Sequence, residues 1–195
     1  MEIIVIDDNL EETSPLIIAL GISYGKEYVK LFKKSSDGLA YITSNLTKKI
    51  IVILDIGFGV GEKNGREILA GIRVHNKLIP VIIWSATDIV GDDFLEFINN
   101  HALFYEKKTA PYKKIIARVK DAEHRLSLDV STAMEEWLDE QEDKEQILMI
   151  EENGKSYSAQ KLIEEIRLET EFGQRVESNI LKLTIDLLFR KKEQV

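Results

Sequence analysis

Cysteine is absent from this chain of 195 residues. Its absence excludes disulfides, thiolate metal sites and cysteine nucleophiles, and it fits a protein of the reducing cytoplasm. Long apolar runs are missing too, because no stretch approaches the ~20 residues that cross a bilayer. Met1 to Val5 also lacks the basic segment that opens a secretion signal. We therefore expect a cytoplasmic protein with no membrane among its partners.

Positive charge is scarce in the last part of the chain. Residues 1–120 hold 16 Lys and Arg against 15 Asp and Glu, whereas residues 121–195 hold 10 against 19. A segment with a net charge of −9 repels a phosphate backbone. It lacks the positive surface that a nucleic-acid-binding domain presents. We therefore expect no nucleic acid among the partners.

Short apolar runs alternate with helical patterns over the first 120 or so residues. The clearest run is Ile50 to Leu54, which is rich in Ile and Val and ends at Asp55. Such runs are typical of strands buried on both faces of a parallel sheet. Four further strands are predicted at Ile3–Ile6, Tyr28–Phe32, Pro80–Trp84 and Leu103–Tyr105. The pattern predicts an α/β fold with a doubly wound, five-stranded parallel sheet.

Polar side chains stand where these strands end, namely Asp7 and Asp8, Asp55, Ser85 and Lys107. The carboxyl ends of parallel strands meet at one edge of the sheet, where ligands bind in open α/β folds. Three carboxylates held together repel each other, and a hard divalent cation with oxygen ligands, most simply Mg²⁺, removes that repulsion. One carboxylate is then left to act as a nucleophile.

The pattern resembles the receiver domain of bacterial two-component response regulators over about residues 1–122. The resemblance rests on the acid pair in IIVIDD, the lone acid in IIVILDI, the hydroxyl and alanine in PVIIWSA, and the lysine that closes LFYEKK. The segment NGREILAGIR also resembles the helix that follows the phosphorylation loop in that family. The resemblance implies a flavodoxin-like sheet in the order 2-1-3-4-5.

The same resemblance implies a role for each polar residue at the sheet edge. Asp55 is the expected phospho-acceptor, and Asp7 and Asp8 join it as ligands of Mg²⁺. Ser85 is the hydroxyl expected to sense the phosphoryl group, and Lys107 is its expected counter-ion. The implied phosphodonor is a histidine kinase or a phosphotransfer protein, and no separate output enzyme is expected.

Two choices stay open at this stage. Lys108 competes with Lys107 for the counter-ion role, and the distance from Ser85 along the chain favours Lys107. Phe104 or Tyr105 is the aromatic residue expected to repack when the site is phosphorylated.

The loop after Asp55 departs from the family pattern. Residues 57–63 are longer by about two residues and rich in glycine, and the methionine and proline common in the family are missing. This departure favours an alternative in which the chain is a pseudo-receiver, folded alike and used as an unphosphorylated scaffold.

The rest of the chain matches no family that we recognise. Residues 123–145 are predicted to form an acidic helical linker, with a helix over 131–145, and residues 146–195 a small interaction module. The module would contain a hairpin formed by 147–150 and 155–157, a helix after Ser158, a break at Gly173 and a last helix over 174–192.

A module with so few helices and strands buries only a small core. Its remaining apolar surface must therefore pack against the receiver, against a second copy in a homodimer, or against another protein. We predict that its target is a protein. A helix-turn-helix over 158–190 would instead make the chain a DNA-binding regulator, but its second helix holds few basic residues.

Overall fold

A computed structural model describes residues 1–86, 92–127, 129–151 and 154–192. The chain divides into two compact units, Met1–Ser127 and Leu128–Val195. The boundary falls at residue 127 because the last helix of the first unit continues unbroken past the boundary expected at 122.

The first unit is built on a five-stranded parallel sheet. Its strands are β1 (Glu2–Ile6), β2 (Val29–Phe32), β3 (Ile50–Leu54), β4 (Val81–Ser85) and β5 (Phe104–Lys107). They lie in the order β2-β1-β3-β4-β5, and every neighbouring pair is parallel. The predicted α/β class and flavodoxin-like order are therefore confirmed.

Five helices connect or follow these strands. They are α1 (Pro15–Tyr24), α2 (Ser35–Thr43), α3 (Gly65–His75), α4 (Asp92–Asn99) and α5 (Tyr112–Ser127), and a short 3-10 turn covers Lys26–Tyr28. The helix expected over 88–100 is observed from Asp92, and residues 87–91 lie outside the described part of the chain.

The sheet is buried on both faces. Successive side chains of a strand point to opposite faces, so Ile3 and Val5 pack against α1 and α5, whereas Ile4 and Ile6 pack with α3. All five residues of β3 are buried in the same way. This double cover explains why the strands read as continuous apolar runs. The edge strands β2 and β5 are partly exposed.

The second unit is mainly helical. It contains α6 (Val130–Asp139), β6 (Ile147–Ile150), β7 (Ser156–Ser158), α7 (Ala159–Arg167) and α8 (Glu171–Lys192). Strands β6 and β7 pair antiparallel, which confirms the predicted hairpin. Helix α6 ends at Asp139, six residues before the end expected from composition, and it packs against α7 within this unit.

The core of the second unit is small, and Gly173 lies in it without breaking a helix. Tyr157 is buried and its ring stacks on that of Phe172, with centroids 4.3 Å apart. Gly173 lies inside α8, where a Cβ atom would come within 2.1 Å of the carbonyl oxygen of Glu165. The predicted break at Gly173 is therefore wrong, because the glycine serves the close approach of α7 and α8.

Candidate functional site

The acidic residues lie at the carboxyl ends of adjacent strands. Asp7 follows β1 and Asp55 follows β3, and these two strands are paired with Ile6 opposite Leu54. The amide of Asp55 donates to the carbonyl of Ile6 at 3.0 Å, which carries the pairing one residue beyond the strands. The two acids are therefore held side by side by backbone hydrogen bonds of the sheet.

Asp8 completes a cluster of three carboxylates. One oxygen atom from each of Asp7, Asp8 and Asp55 lies within 4.8 Å of the other two. Asp7 and Asp55 are only 1% and 5% exposed, whereas Asp8 is partly exposed. The cluster is thus open to solvent on the side of Asp8 and buried on the side of the other two acids.

Lys108 bridges the two buried carboxylates. Its Nζ atom lies 2.5 Å from Oδ2 of Asp55 and 2.7 Å from Oδ2 of Asp7. Burial lowers the pKa of the Lys108 ammonium, but its contacts with Asp55 and Asp7 outweigh burial and hold the pKa above the usual range. The lysine is therefore a cation fixed between the two acids.

The structure corrects the choice of lysine made from the sequence. Lys107 is exposed and stands opposite Ser85 in the pairing of β5 with β4, whereas Lys108 points to the acids. Counting residues from Ser85 favoured Lys107. The alternation of side chains along β5 separates the two lysines, because Phe104 and Glu106 face α5 and Lys108 is the next residue of that series.

Burial is the main influence on the pKa of Asp7. It raises the pKa of the Asp7 carboxyl above its usual range, even though Lys108 and the amide of Asn9 stabilise the ionised form. The neighbouring charge of Asp55 raises this pKa further. Oδ2 of Asp7 is buried and receives no well-directed hydrogen bond from the described residues, despite its contact with Lys108.

Ser85 and the two aromatic candidates occupy different surroundings. Ser85 is the last residue of β4 and is 1% exposed, and its carbonyl accepts a hydrogen bond from the amide of Lys108 at 2.9 Å. Phe104 packs on the face of α5, beneath the guanidinium of Arg118, which lies 4.5 Å from the ring centroid. Tyr105 packs on the opposite face of the sheet. The two aromatic side chains therefore lie on opposite faces of the sheet.

A buried acid that the sequence analysis missed ties β5 to α5. Glu106 is 4% exposed, and its carboxylate lies 2.5 Å from Nζ of Lys114 and 2.8 Å from Nε of Arg118. Burial raises the pKa of Glu106, but hydrogen bonds from these two cations outweigh it and leave the pKa lowered. The helical spacing of Lys114 and Arg118, four residues apart, was the available signal.

The loop after Asp55 is anchored at its far end. The amide of Ile56 donates to Oδ1 of Asp55 at 2.7 Å. Asn64 and Glu67 form a reciprocal capping box at the start of α3. Gly65 follows directly, and a Cβ atom there would lie 2.3 Å from the carbonyl oxygen of Asp55. The first residue of α3 therefore rests against the backbone of the central acid.

A second anchor joins this loop to α2. Oε2 of Glu62 accepts hydrogen bonds from the hydroxyl of Ser35 at 3.0 Å and from the amide and hydroxyl of Ser36 at 3.2 Å. The hydrogen bond from the backbone amide of Ser36 is the largest cause that lowers the pKa of Glu62. Between Asp55 and Glu62, a Cβ atom at Gly57 or Gly59 would meet nothing within 4 Å.

The acidic cluster fits a magnesium ion. Its donors are hard carboxylate oxygens, which are the ligands that Mg²⁺ takes in proteins. Oδ2 of Asp7 has spare acceptor capacity in a buried position, and Asp8 leaves one side open to the water molecules that Mg²⁺ retains. Asp7, Asp8 and Asp55 are thus suited to hold such an ion.

Comparison with solved structures identifies the fold of the first unit. A receiver domain protein from Methanospirillum hungatei matches with a TM-score of 0.55 and 16% identity, covering 64% of this chain and 94% of that one. A receiver domain protein from Clostridium thermocellum matches with a TM-score of 0.53 and 24% identity, covering 65% and 97%. The first unit has the receiver fold.

A third match extends the comparison to a named regulator. The receiver domain of NtrX from Brucella abortus matches with a TM-score of 0.53 and 19% identity, covering 62% of this chain and 97% of that domain. No family model matches the chain, and no curated protein matches it. These likenesses therefore establish the fold of the receiver unit.

In the part of the chain that the structure describes, no helix is both long enough and apolar enough to span a membrane.

Proposed function

We propose that this protein is a phospho-accepting response regulator in which Asp55 takes up a phosphoryl group in a Mg²⁺-dependent reaction. The observation that carries the proposal is the group of three carboxylates within 4.8 Å of one another, bridged by Lys108 at the carboxyl edge of a receiver fold. An acid cluster of this kind, with a fixed cation beside it, suits phosphoryl transfer, where position and charge provide most of the catalysis.

In the proposed reaction, an Oδ atom of Asp55 attacks the phosphorus of the donor in line. A new O–P bond forms, the bond from phosphorus to the leaving group breaks, and the leaving group departs with the electron pair. Mg²⁺, held by Asp7, Asp8 and Asp55, would supply neutralisation of the phosphoryl oxygens. Lys108 is already 2.5 Å from the Asp55 carboxylate and provides a second positive charge for the same oxygens.

The phosphorylated side chain acts on the ends of β4 and β5. A phosphoryl group carries close to two negative charges and three acceptor oxygens. Ser85 and Lys108 move toward the phosphoryl group. They move together because the backbone amide of Lys108 donates a hydrogen bond to the carbonyl of Ser85. Phe104 or Tyr105 then repacks, according to the face of the sheet on which β5 shifts.

The donor in this proposal is a histidine kinase or a phosphotransfer protein in the cytoplasm, and the second unit passes the signal to a protein. Exposed apolar side chains on β6 support this assignment, with Ile147 at 60% and Ile150 at 67% exposure. The net charge of −9 over residues 121–195 supports a target other than nucleic acid.

Intact-protein mass spectrometry tests the proposal. The full chain is incubated with Mg²⁺ and acetyl phosphate, beside Asp55→Asn, which keeps the shape of the side chain and removes the nucleophile. We expect one phosphoryl group on the wild type and none on the variant. Equal incorporation by both proteins would show that Asp55 is not the acceptor.

Mg²⁺ binding can be followed separately through Trp84. Its ring centroid lies 5.7 Å from Nζ of Lys108, so displacement of the lysine by a cation changes the surroundings of the indole. Because Trp137 is the only other tryptophan in the chain, the measurement uses a Trp137→Phe background. We expect a saturable fluorescence change that Asp7→Asn weakens.

A pseudo-receiver scaffold is the second candidate function. The observation that favours it is the double contact of Lys108, whose single positive charge already lies between the two buried carboxylates where an added cation would bind. A folded protein that shows no response of Trp84 to Mg²⁺, no incorporation of phosphate and no response to beryllium fluoride would support this candidate over the first.

A further inference from the structure

Residues 181–187 of α8 form a segment that is rich in apolar side chains and exposed. Every side chain from residue 181 to 187 is exposed, and we call this segment distal α8. Its large apolar side chains are about half exposed: Leu181 49%, Leu183 60%, Ile185 52% and Leu187 55%. Isolated exposed apolar residues are common, but four within seven residues of one helix indicate an interaction surface.

One face of distal α8 continues a face that is already buried. Gly173 and Val176 pack in the core of the second unit. Ile180, Leu183 and Leu187 follow Val176 at intervals of four, three and four residues, the spacing of a helix–helix seam. The face of α8 that packs against α7 near Gly173 thus continues into the solvent-exposed residues of distal α8.

Thr184 lies on the same face, and its hydroxyl already has a hydrogen-bond partner within the helix. Its hydroxyl donates to the carbonyl of Ile180 at 2.8 Å. Its methyl group can therefore be buried against another helix without leaving a donor unsatisfied.

Charge along α8 favours a second copy of the chain in antiparallel orientation. The helix ends in Arg190, Lys191 and Lys192, whereas residues 171–180 carry Glu171 and Glu177 against one cation, Arg175. In an antiparallel pair, the basic end of each helix lies beside the acidic part of the other. A parallel pair would instead place three positive charges beside three, which is unfavourable.

Glu177 gives independent support for this orientation. Burial raises the pKa of its carboxyl, and the nearby carboxylates of Asp129 and Glu169 raise it further. Within the described ranges, no cation lies at ion-pair distance from Glu177. The carboxylate therefore lies in acidic surroundings that a basic helix end from another chain would neutralise.

We propose that the protein forms a homodimer in which distal α8 of one chain packs antiparallel against distal α8 of the other. The seam is formed by Ile180, Leu183, Thr184 and Leu187 of both chains. The pairing is symmetric, since the same surface is used by each copy, and it does not depend on phosphorylation of the receiver unit.

Sedimentation velocity on the full chain tests the surface. We expect a dimer for the wild type, and for Leu183→Asp a dissociation constant raised about 100-fold or more, because a charge then lies in the apolar seam. Ile150→Asp is the matched control, since Ile150 is exposed to a similar extent but lies on β6, and it should remain dimeric. A monomeric wild type, or a Leu183→Asp variant as dimeric as the wild type, would overturn the proposal.

A second variant covers the case in which Leu183→Asp fails to fold. Lys191→Glu combined with Lys192→Glu leaves the seam intact and makes the basic end of the helix acidic. We expect dimerisation about tenfold weaker in low salt, with the difference shrinking as salt is added. No change in low salt would contradict the charge pairing.

Orientation is tested with single cysteines, since the natural chain has none. Spin labels at Lys182→Cys, which is not a seam residue, should lie within roughly 6 Å of each other along the helix axis. With a rise of 1.5 Å per residue, labels at Lys192→Cys should be separated by roughly 24 Å along the helix axis in an antiparallel pair centred near residue 184. Short distances at both positions would refute the antiparallel arrangement.

Discussion

Replacing Lys108 by methionine removes a charge while keeping much of the length of the side chain. In the wild type, Nζ lies 2.5 Å from Asp55 and 2.7 Å from Asp7, and both carboxylates are at least 95% buried. Removing one partner of a buried ion pair typically costs about 3–5 kcal/mol, because the other charge is left uncompensated. Asp7 can limit this cost by binding a proton, since burial already raises its pKa. We therefore expect the receiver unit to lose about 2–4 kcal/mol at neutral pH.

Such a loss is large enough to measure by thermal unfolding. It corresponds to a decrease in Tm of about 10 °C for a unit of this size. Lys107→Met is the matched control, because it removes the same charge one residue earlier from an exposed side chain. Lys107→Met should shift Tm by no more than about 2 °C, as expected of an exposed site.

The pH dependence of this loss has a definite sign. A carboxyl group whose pKa is raised in the folded state favours folding at low pH, and that contribution is lost as the pH rises through the folded pKa. Without Lys108, the pKa of Asp7 rises further, so the deficit of the variant should shrink as the pH falls from 7.5 toward 5.

Mg²⁺ provides the second axis of the experiment. In Lys108→Met it meets carboxylates that no longer contact an ammonium group, so it should stabilise the variant more than the wild type. At 100 times its dissociation constant, a bound ligand contributes about 2.7 kcal/mol. Equal Tm losses for the two lysine variants, or equal stabilisation of Lys108→Met and wild type by Mg²⁺, would refute our account of the site.

Two glycines allow further tests of close backbone contacts. Gly65→Ala should lower phosphoryl incorporation and destabilise the receiver unit by about 1–3 kcal/mol, since a Cβ would lie 2.3 Å from the Asp55 carbonyl oxygen. Gly57→Ala, in the same loop but with nothing within 4 Å of the new atom, is the control for both readouts and should be near neutral. Gly173→Ala should loosen the second unit alone, because its Cβ would lie 2.1 Å from the Glu165 carbonyl oxygen. Hydrogen exchange should then rise in α7 and α8 but not in β1 to β5, and an equal rise across both units would contradict this assignment.

Much of the receiver unit could be predicted because its sheet is buried on both faces. That burial makes strands such as Ile50 to Leu54 read as unbroken apolar runs, and the acids that end them stand out. Bringing Asp7, Asp8 and Asp55 together needed only the rule that parallel strands end at one edge. The carboxylate cluster therefore follows from local sequence and topology.

The features that could not be predicted depend on contacts between distant segments. Counting along the chain favoured Lys107, but a single residue of alternation decides which lysine turns toward the acids. Gly173 looked like a helix breaker because the sequence does not show that Glu165 approaches it. The end of α6 at Asp139 was equally hidden, since the acidic composition beyond it is compatible with a helix.

The two ion pairs of Glu106 couple the movement of β5 to that of α5. Glu106 lies two residues before Lys108, and its partners Lys114 and Arg118 lie on the first half of α5. A displacement of β5 at the acidic cluster therefore pulls on a helix of 16 residues, about 24 Å long, that ends at Ser127. The chain passes from that point directly into the second unit. A displacement of β5 can thus be carried along α5 to the last residue of the receiver unit.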